Sequence, residues 1–216
     1  MQNIKNIIFD LGGVILNIDI KRTENALREL GINDLSQYLK QSRMISFFKE
    51  YEAGKIDDAA FIGAIQSLSE KPMAEEAVIN AWNALLLDFP QERLDLLQAL
   101  KKKYRLFLLS NTNAIHHKQF QQQLYLQTGY YLEDIFEKTY YSHTIGLCKP
   151  DVAAFQWVIN ENKLNPVETL FVDDTEANMA GAKEAGLEFF HIVPGTTILD
   201  IEWQIKDHLN TSSAVS

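Results

Sequence analysis

Five polar residues in separate short stretches could do chemistry together: Asp10 in FDLGGVIL, Ser110 in RLFLLSN, Lys149 in GLCKP, and Asp173 with Asp174 in LFVDDTEAN. Gly12 and Gly13 let the backbone behind Asp10 turn sharply, so that main-chain N–H groups can face an anion. Converging carboxylates with no partner would repel one another and destabilise the fold, so something positive must sit among Asp10, Asp173 and Asp174. A hard cation such as Mg²⁺ takes one or two carboxylates, with waters and a substrate phosphate completing its shell. Lys149 would then oppose phosphate oxygens as a point charge, and Ser110 could donate a hydrogen bond to another. In this chemistry Asp10 attacks phosphorus, forms an aspartyl-phosphate, and water releases phosphate from it. The metal and Lys149 hold the charge of the transferring group in both halves.

Such residues can act together only if the fold gathers them. Apolar runs precede or contain the polar positions: NIIFD ending at Asp10, RLFLLS at Ser110, TLFVDD at Asp173 and Asp174, and EFFHI over 188–192. Helical patterns at 92–103, 113–126, 151–162 and 176–185 alternate with the later runs, and Pro150 can start the third of these helices. Alternation of this kind predicts an α/β fold, a Rossmann-like three-layer core whose parallel sheet is covered on both faces. Ligands in such sheets collect beyond the carboxyl ends of the strands, where the polar residues fall.

Residues 17–88 read differently, as amphipathic helix punctuated by Gly31, Gly54 and Pro72, with no convincing strand. The expected organisation is an α/β catalytic core of 1–16 and 89–216 with a helical insertion of 17–88. In its FFKEYEAGK stretch, Glu52 and Lys55 are the residues that could touch a substrate.

The 216 residues carry 20 Lys plus Arg against 29 Asp plus Glu, and the net charge of -9 opposes generic attraction to nucleic acid or anionic membranes. An anionic substrate therefore needs a local positive site. Cys148 is the single cysteine, so no intramolecular disulfide can form, and a reducing, cytoplasmic compartment is the simpler expectation. No apolar run approaches the roughly 18–20 residues that span a bilayer, and MQNIKNIIFDLGG reads as a first strand, not an export signal. The sequence carries no information on oligomeric state. Tyr125, Tyr130, Tyr131, Phe136, Tyr140 and Tyr141 are expected in core and loop packing.

The motifs FDLGGV, LLSN, CKP and FVDDTEAN, in that order, resemble those of the haloacid dehalogenase-like hydrolases, in the branch with a helical cap after the first strand. The closer pattern, DLGxV with LSNTNxxH, Glu52-x-Gly54-x-Ile56 and KPxxxxF, is similar to bacterial phosphatases of sugar phosphates such as α-glucose 1-phosphate. The resemblance implies that Asp10 is nucleophile and metal ligand, that the Gly12 carbonyl and Asp174 are further ligands, and that Asp173 acts through a metal-bound water. It further implies phosphate contacts from Gly13, Ser110, Asn111 and Lys149, and a phosphorylated small molecule as substrate.

One position departs from the pattern. Most phosphatases of this kind carry an aspartate two residues after the nucleophile as general acid and base, and here that position is Gly12. A general acid contributes about 10²- to 10⁴-fold, most for poor leaving groups. Anomeric, aryl or acyl phosphates would suffer least from its loss, and His116 in SNTNAIHHKQF is a possible substitute. Two rival readings follow: a metal-independent 2-haloacid dehalogenase, which also lacks the second aspartate, and a regulatory protein that binds phosphate esters without turnover. Cys148, beside Lys149, could have a lowered pKa or simply pack.

Overall fold

The computed structural model describes residues 4–32 and 42–201. A five-stranded parallel sheet has the order β3-β2-β1-β4-β5, with β1 Asn6–Phe9, β2 Arg105–Ser110, β3 Lys138–Tyr141, β4 Thr169–Asp173 and β5 Glu188–His191. Alternation along β1 builds both faces. Ile7 and Phe9 point to one side, among Leu94, Leu97, Phe120 and Leu124, while Ile8 points to the other, among Phe155, Val158, Phe171 and Met179. The helices that supply these side chains are α5 Gln91–Leu100 and α6 Ala114–Thr128 on one face, and α9 Val152–Asn162 and α10 Glu176–Glu184 on the other. The three-layer α/β core expected from the alternating pattern is therefore present.

Two strands differ from expectation. β3 carries no sequence signal, because in KTYY only Tyr140 and Tyr141 are buried while Lys138 is exposed and Thr139 half-buried, so no apolar run marks it. Both tyrosines sit in the sheet and not in a loop. β5 was expected to be buried, yet Phe189 and Phe190 are 43% and 36% exposed, because the strand lies at the sheet edge. Two short helices, α7 Leu132–Ile135 and α8 Ser142–Ile145, flank β3.

Between β1 and β2 lie α1 Ile20–Glu29, α2 Ser42–Glu52, α3 Asp58–Gln66 and α4 Glu75–Asn83. They bury an apolar cluster of their own, with Leu27, Ile32, Tyr51, Phe61, Ile62, Ile65 and Val78, into which α6 sends Ile115. The two segments that join these helices to the sheet are tied to each other. Ile18 bridges Leu86 antiparallel, and Asn17 both donates to the Asp88 carbonyl and accepts from the Leu87 N–H, each at 2.9 Å. No helix among the described residues is long and apolar enough to cross a membrane.

The inserted helices touch the core at one point where no side chain fits. Gly54, at φ +66°, lies so close to α8 that a Cβ would stand 2.1 Å from the His143 carbonyl oxygen. Gly129 has a similar φ of +80° with open space around it. Gly129→Ala should therefore cost only the left-handed backbone penalty of about 1–2 kcal/mol. Gly54→Ala should cost roughly 1–3 kcal/mol more, because the contact must also open. Urea denaturation of the two variants checks this; equal losses would contradict the contact.

Candidate active site

The register Phe9↔Val172 places Asp10 and Asp173 side by side at the carboxyl ends of the two central strands. Lys149, from the loop before α9, answers that concentration of charge. Its Nζ donates to Asp10 Oδ1 at 2.7 Å and to Asp173 Oδ2 at 2.6 Å, and its side chain is only 1% exposed. Asp173 is held further by the Asn178 Nδ2 at 2.9 Å and the Thr175 N–H at 2.7 Å. Burial works against the Lys149 charge, but Asp10 and Asp173 outweigh it and hold its pKa above the usual value. Burial pushes the Asp10 carboxyl well above the carboxylate range, Lys149 pulls it back, and Asp173 adds to the rise.

Asp174 completes the cluster. One oxygen from each of Asp10, Asp173 and Asp174 lies within 4.8 Å of the others. The Asp174 carboxylate fills the space that Gly13 leaves empty: at φ +74°, a Cβ there would fall 2.0 Å from Asp174 Oδ2. Burial first, then the Asp173 charge, raises the Asp174 pKa. Against three carboxylates one ammonium stands in the cluster among the described residues, so two formal negative charges are left over. Clustered hard oxygen donors with that excess fit Mg²⁺ in a way that a softer N/S-preferring metal would not.

The surrounding residues divide. Ser110 ends β2, buried, one strand over from Asp10. Asn111, expected against phosphate, instead clamps the Lys149 backbone: its Oδ1 accepts from the Lys149 N–H at 2.9 Å and its Nδ2 donates to the Lys149 carbonyl at 2.7 Å. It positions the lysine. Pro150 does not start α9; the helix begins at Val152, capped by Asp151, whose side chain accepts from the Ala153 N–H at 3.0 Å. Burial raises the Cys148 thiol pKa, so the lysine beside it in sequence does not make it a thiolate.

His116 is a correction of more consequence. Its Nδ1 lies 3.0 Å from Asn113 Nδ2 and its Nε2 lies 3.0 Å from the Trp82 carbonyl. Only the neutral tautomer protonated on Nε2 satisfies both, accepting at Nδ1 and donating at Nε2. The ring also stacks on Trp82, with centroids 5.1 Å apart. Burial pushes its pKa down to about 4, against the opposing pull of the Trp82 carbonyl. His116 fastens α4 to α6, and with both nitrogens engaged it is no proton carrier and no phosphate ligand. Trp82 carried no signal in the sequence, whereas Asn178 was in view within DDTEAN without a role. At Gly12 itself a Cβ would meet Ile18 Cδ1 at 3.2 Å, so the place of the usual acid is walled by an apolar side chain.

Comparisons with known proteins show the family. The model of the haloacid dehalogenase-like hydrolases matches residues 4–186. A D-ribitol-5-phosphate phosphatase from Bacteroides thetaiotaomicron is 34% identical over 187 residues, 87% of this chain and 91% of that protein. A solved enzyme of the same family and organism, in complex with magnesium and inorganic phosphate, is 34% identical with a TM-score of 0.81, over 89% of this chain and 96% of the other. A 2-haloacid dehalogenase from Pseudomonas syringae shares the fold, with a TM-score of 0.59 at 19% identity, over 88% of this chain and 86% of that one.

The His116 pKa carries a pH dependence. In the unfolded chain the imidazole takes a proton near its ordinary 6.5, while in the fold it resists protonation down to about 4. Stability is therefore fully present above the unfolded value and is lost as pH falls toward the folded one. Between pH about 7 and about 4.5 wild type should lose about 2–3 kcal/mol more than His116→Gln. Urea midpoints at the two pH values check this, and parallel losses would contradict a buried neutral ring.

Proposed function

Because the chain belongs to the haloacid dehalogenase-like hydrolases, we propose that it is a Mg²⁺-dependent phosphatase of a small phosphorylated metabolite, a sugar phosphate or its polyol counterpart. The observation that carries this reading is the buried Asp10–Lys149–Asp173 bridge with Asp174 beside it, at the end of the sheet where ligands bind. The D-ribitol-5-phosphate phosphatase likeness supports the polyol class.

Asp10 is the nucleophile. Lys149 holds its Oδ1, which leaves Oδ2 for attack on phosphorus and formation of an aspartyl-phosphate. Asp10, Asp174 and the Gly12 carbonyl would hold Mg²⁺ with Asp173 beside them, and the ion would supply positive charge against the cluster and the phosphoryl oxygens. Lys149 screens charge on the transferring group and Ser110 donates to one of its oxygens. The Gly13 N–H, expected to face the phosphate, instead donates to the Leu16 carbonyl at 2.9 Å inside its own turn. Asn111 keeps Lys149 in place through its backbone. Residues 17–88 act as a cap over 1–16 and 89–216, excluding bulk water from the reacting phosphate.

The dehalogenase reading is less favoured. Its solved structures stand at 16–20% identity and share only the fold, and a metal-free reaction has no use for the excess negative charge at Asp174. Asp10→Asn should lower phosphate release from sugar and polyol phosphates by at least about 10³-fold while the Tm stays close to wild type. A chelator should do the same reversibly in wild type. Turnover near wild type in the variant would overturn the mechanism, and halide release from a 2-haloacid under chelation would move the assignment to dehalogenase.

A further inference from the structure

A polyol phosphate leaves as an alkoxide, which needs a proton, and carboxylates ionised to hold a metal have none to give. Gly12 bears no side chain, His116 has both nitrogens engaged, and Lys149 sits between two carboxylates. The Tyr51 hydroxyl donates to Asp58 at 2.7 Å.

The inserted helices bring one more acid to this edge of the sheet. Glu52 closes α2, and α2 packs on α8 of the core. Two residues later the Gly54 backbone rests on the His143 carbonyl, a contact that allows no Cβ and so fixes how this turn meets the core. On the core side the charges of Glu52 and Lys55 act on the thiol of Cys148. Cys148 immediately precedes Lys149, whose Nζ bridges Asp10 and Asp173. Glu52 is thus a partly buried carboxyl on the inserted helices whose charge reaches the residue before Lys149.

Given a phosphatase acting through Asp10, we propose that Glu52 is the general acid for the departing alcohol and the general base for the water that follows. In the first half Asp10 Oδ2 bonds to phosphorus, the bond from phosphorus to the alcohol oxygen breaks, and the Glu52 carboxyl gives its proton to that oxygen. In the second half the Glu52 carboxylate takes a proton from water as the water oxygen bonds to phosphorus. The bond from phosphorus to Asp10 then breaks, restoring the Asp10 carboxylate and protonated Glu52 and releasing phosphate. The missing acid is supplied from the inserted helices, not from the turn after the nucleophile.

Burial raises the Glu52 pKa, and Lys49, one turn earlier on the same helix, partly offsets the rise. Lys55 stands on the following turn, and His143, Cys148 and Asp151 are the titratable groups on the core side. A raised pKa keeps an acid protonated to higher pH, and the acid-dependent step must slow as pH rises through it.

Glu52→Gln keeps size and removes the proton. With Mg²⁺ present, single-turnover phosphorylation of the enzyme is measured with ribitol 5-phosphate and with p-nitrophenyl phosphate, whose leaving group needs no proton. The alkyl ester should react about 10²- to 10⁴-fold more slowly in the variant. The aryl ester should react at close to the wild-type rate, which also shows the variant folded, and the basic limb of the alkyl pH profile should disappear. Equal losses with both esters, a change in KM alone, or no change would each overturn the role of Glu52. None of these touches the phosphatase reading, which falls only if Asp10→Asn remains active.

Discussion

The Lys149 ammonium between Asp10 and Asp173 is the contact on which the rest of the structure depends. Parallel pairing of β1 and β4 forces two carboxylates together at adjacent strand ends, inside protein and nearly out of reach of water. Without the lysine the two could not both stay ionised, and removing that one cation from such a buried set costs about 3–5 kcal/mol. The bridge adds little net stability over an apolar replacement. Its return is positional: the lysine fixes the two carboxylates, and its own backbone is fixed by Asn111 at the end of β2. Strand ends from β1, β2 and β4 and the loop before α9 therefore meet at a single lysine, β1 and β4 at its ammonium and β2 at its backbone.

Around that centre charge and apolar surface are sharply separated. Asp174 fits against the bare backbone of Gly13, and Ile18 closes the space over Gly12. Ile18 belongs to the paired connectors that carry the inserted helices, so the residue that walls off the usual acid position is part of the joint between core and insertion. The same joint is reinforced by the stack of Trp82 on His116 and by the Thr23 hydroxyl, which donates to the Trp82 carbonyl at 3.0 Å. Core and inserted helices are built as partners at the site, and for that reason a proton donor on the insertion can be placed with some accuracy.

What could be read in the sequence follows a physical line. Asp10, Ser110, Asp173 and Asp174 end or follow apolar runs, and a parallel sheet sends the ends of such runs to one edge, so their meeting was legible from pattern alone. Lys149 was legible as a cation at the site but was expected against phosphate oxygens, and nothing in GLCKP shows that its ammonium bridges Asp10 and Asp173. β3 was not, since KTYY is an edge strand with only its last two residues buried and shows no apolar run. Asn111 and His116 were misread for a different reason. An amide or an imidazole takes its role from whatever lies opposite, and here those partners are the Lys149 backbone and the Trp82 carbonyl, 38 and 34 residues away.

Chemical trapping of the enzyme at Asp10 tests the central claim most directly. Enzyme with Mg²⁺ is mixed with a phosphate monoester, quenched in acid within the first turnover, digested and mapped by mass spectrometry. A hydroxylamine-labile phosphoryl group on the peptide carrying Asp10, lost when Lys149 is replaced by Met, is the expected result. Phosphate on another side chain, or rapid turnover with no phosphoryl group on that peptide at any quench time, would contradict it.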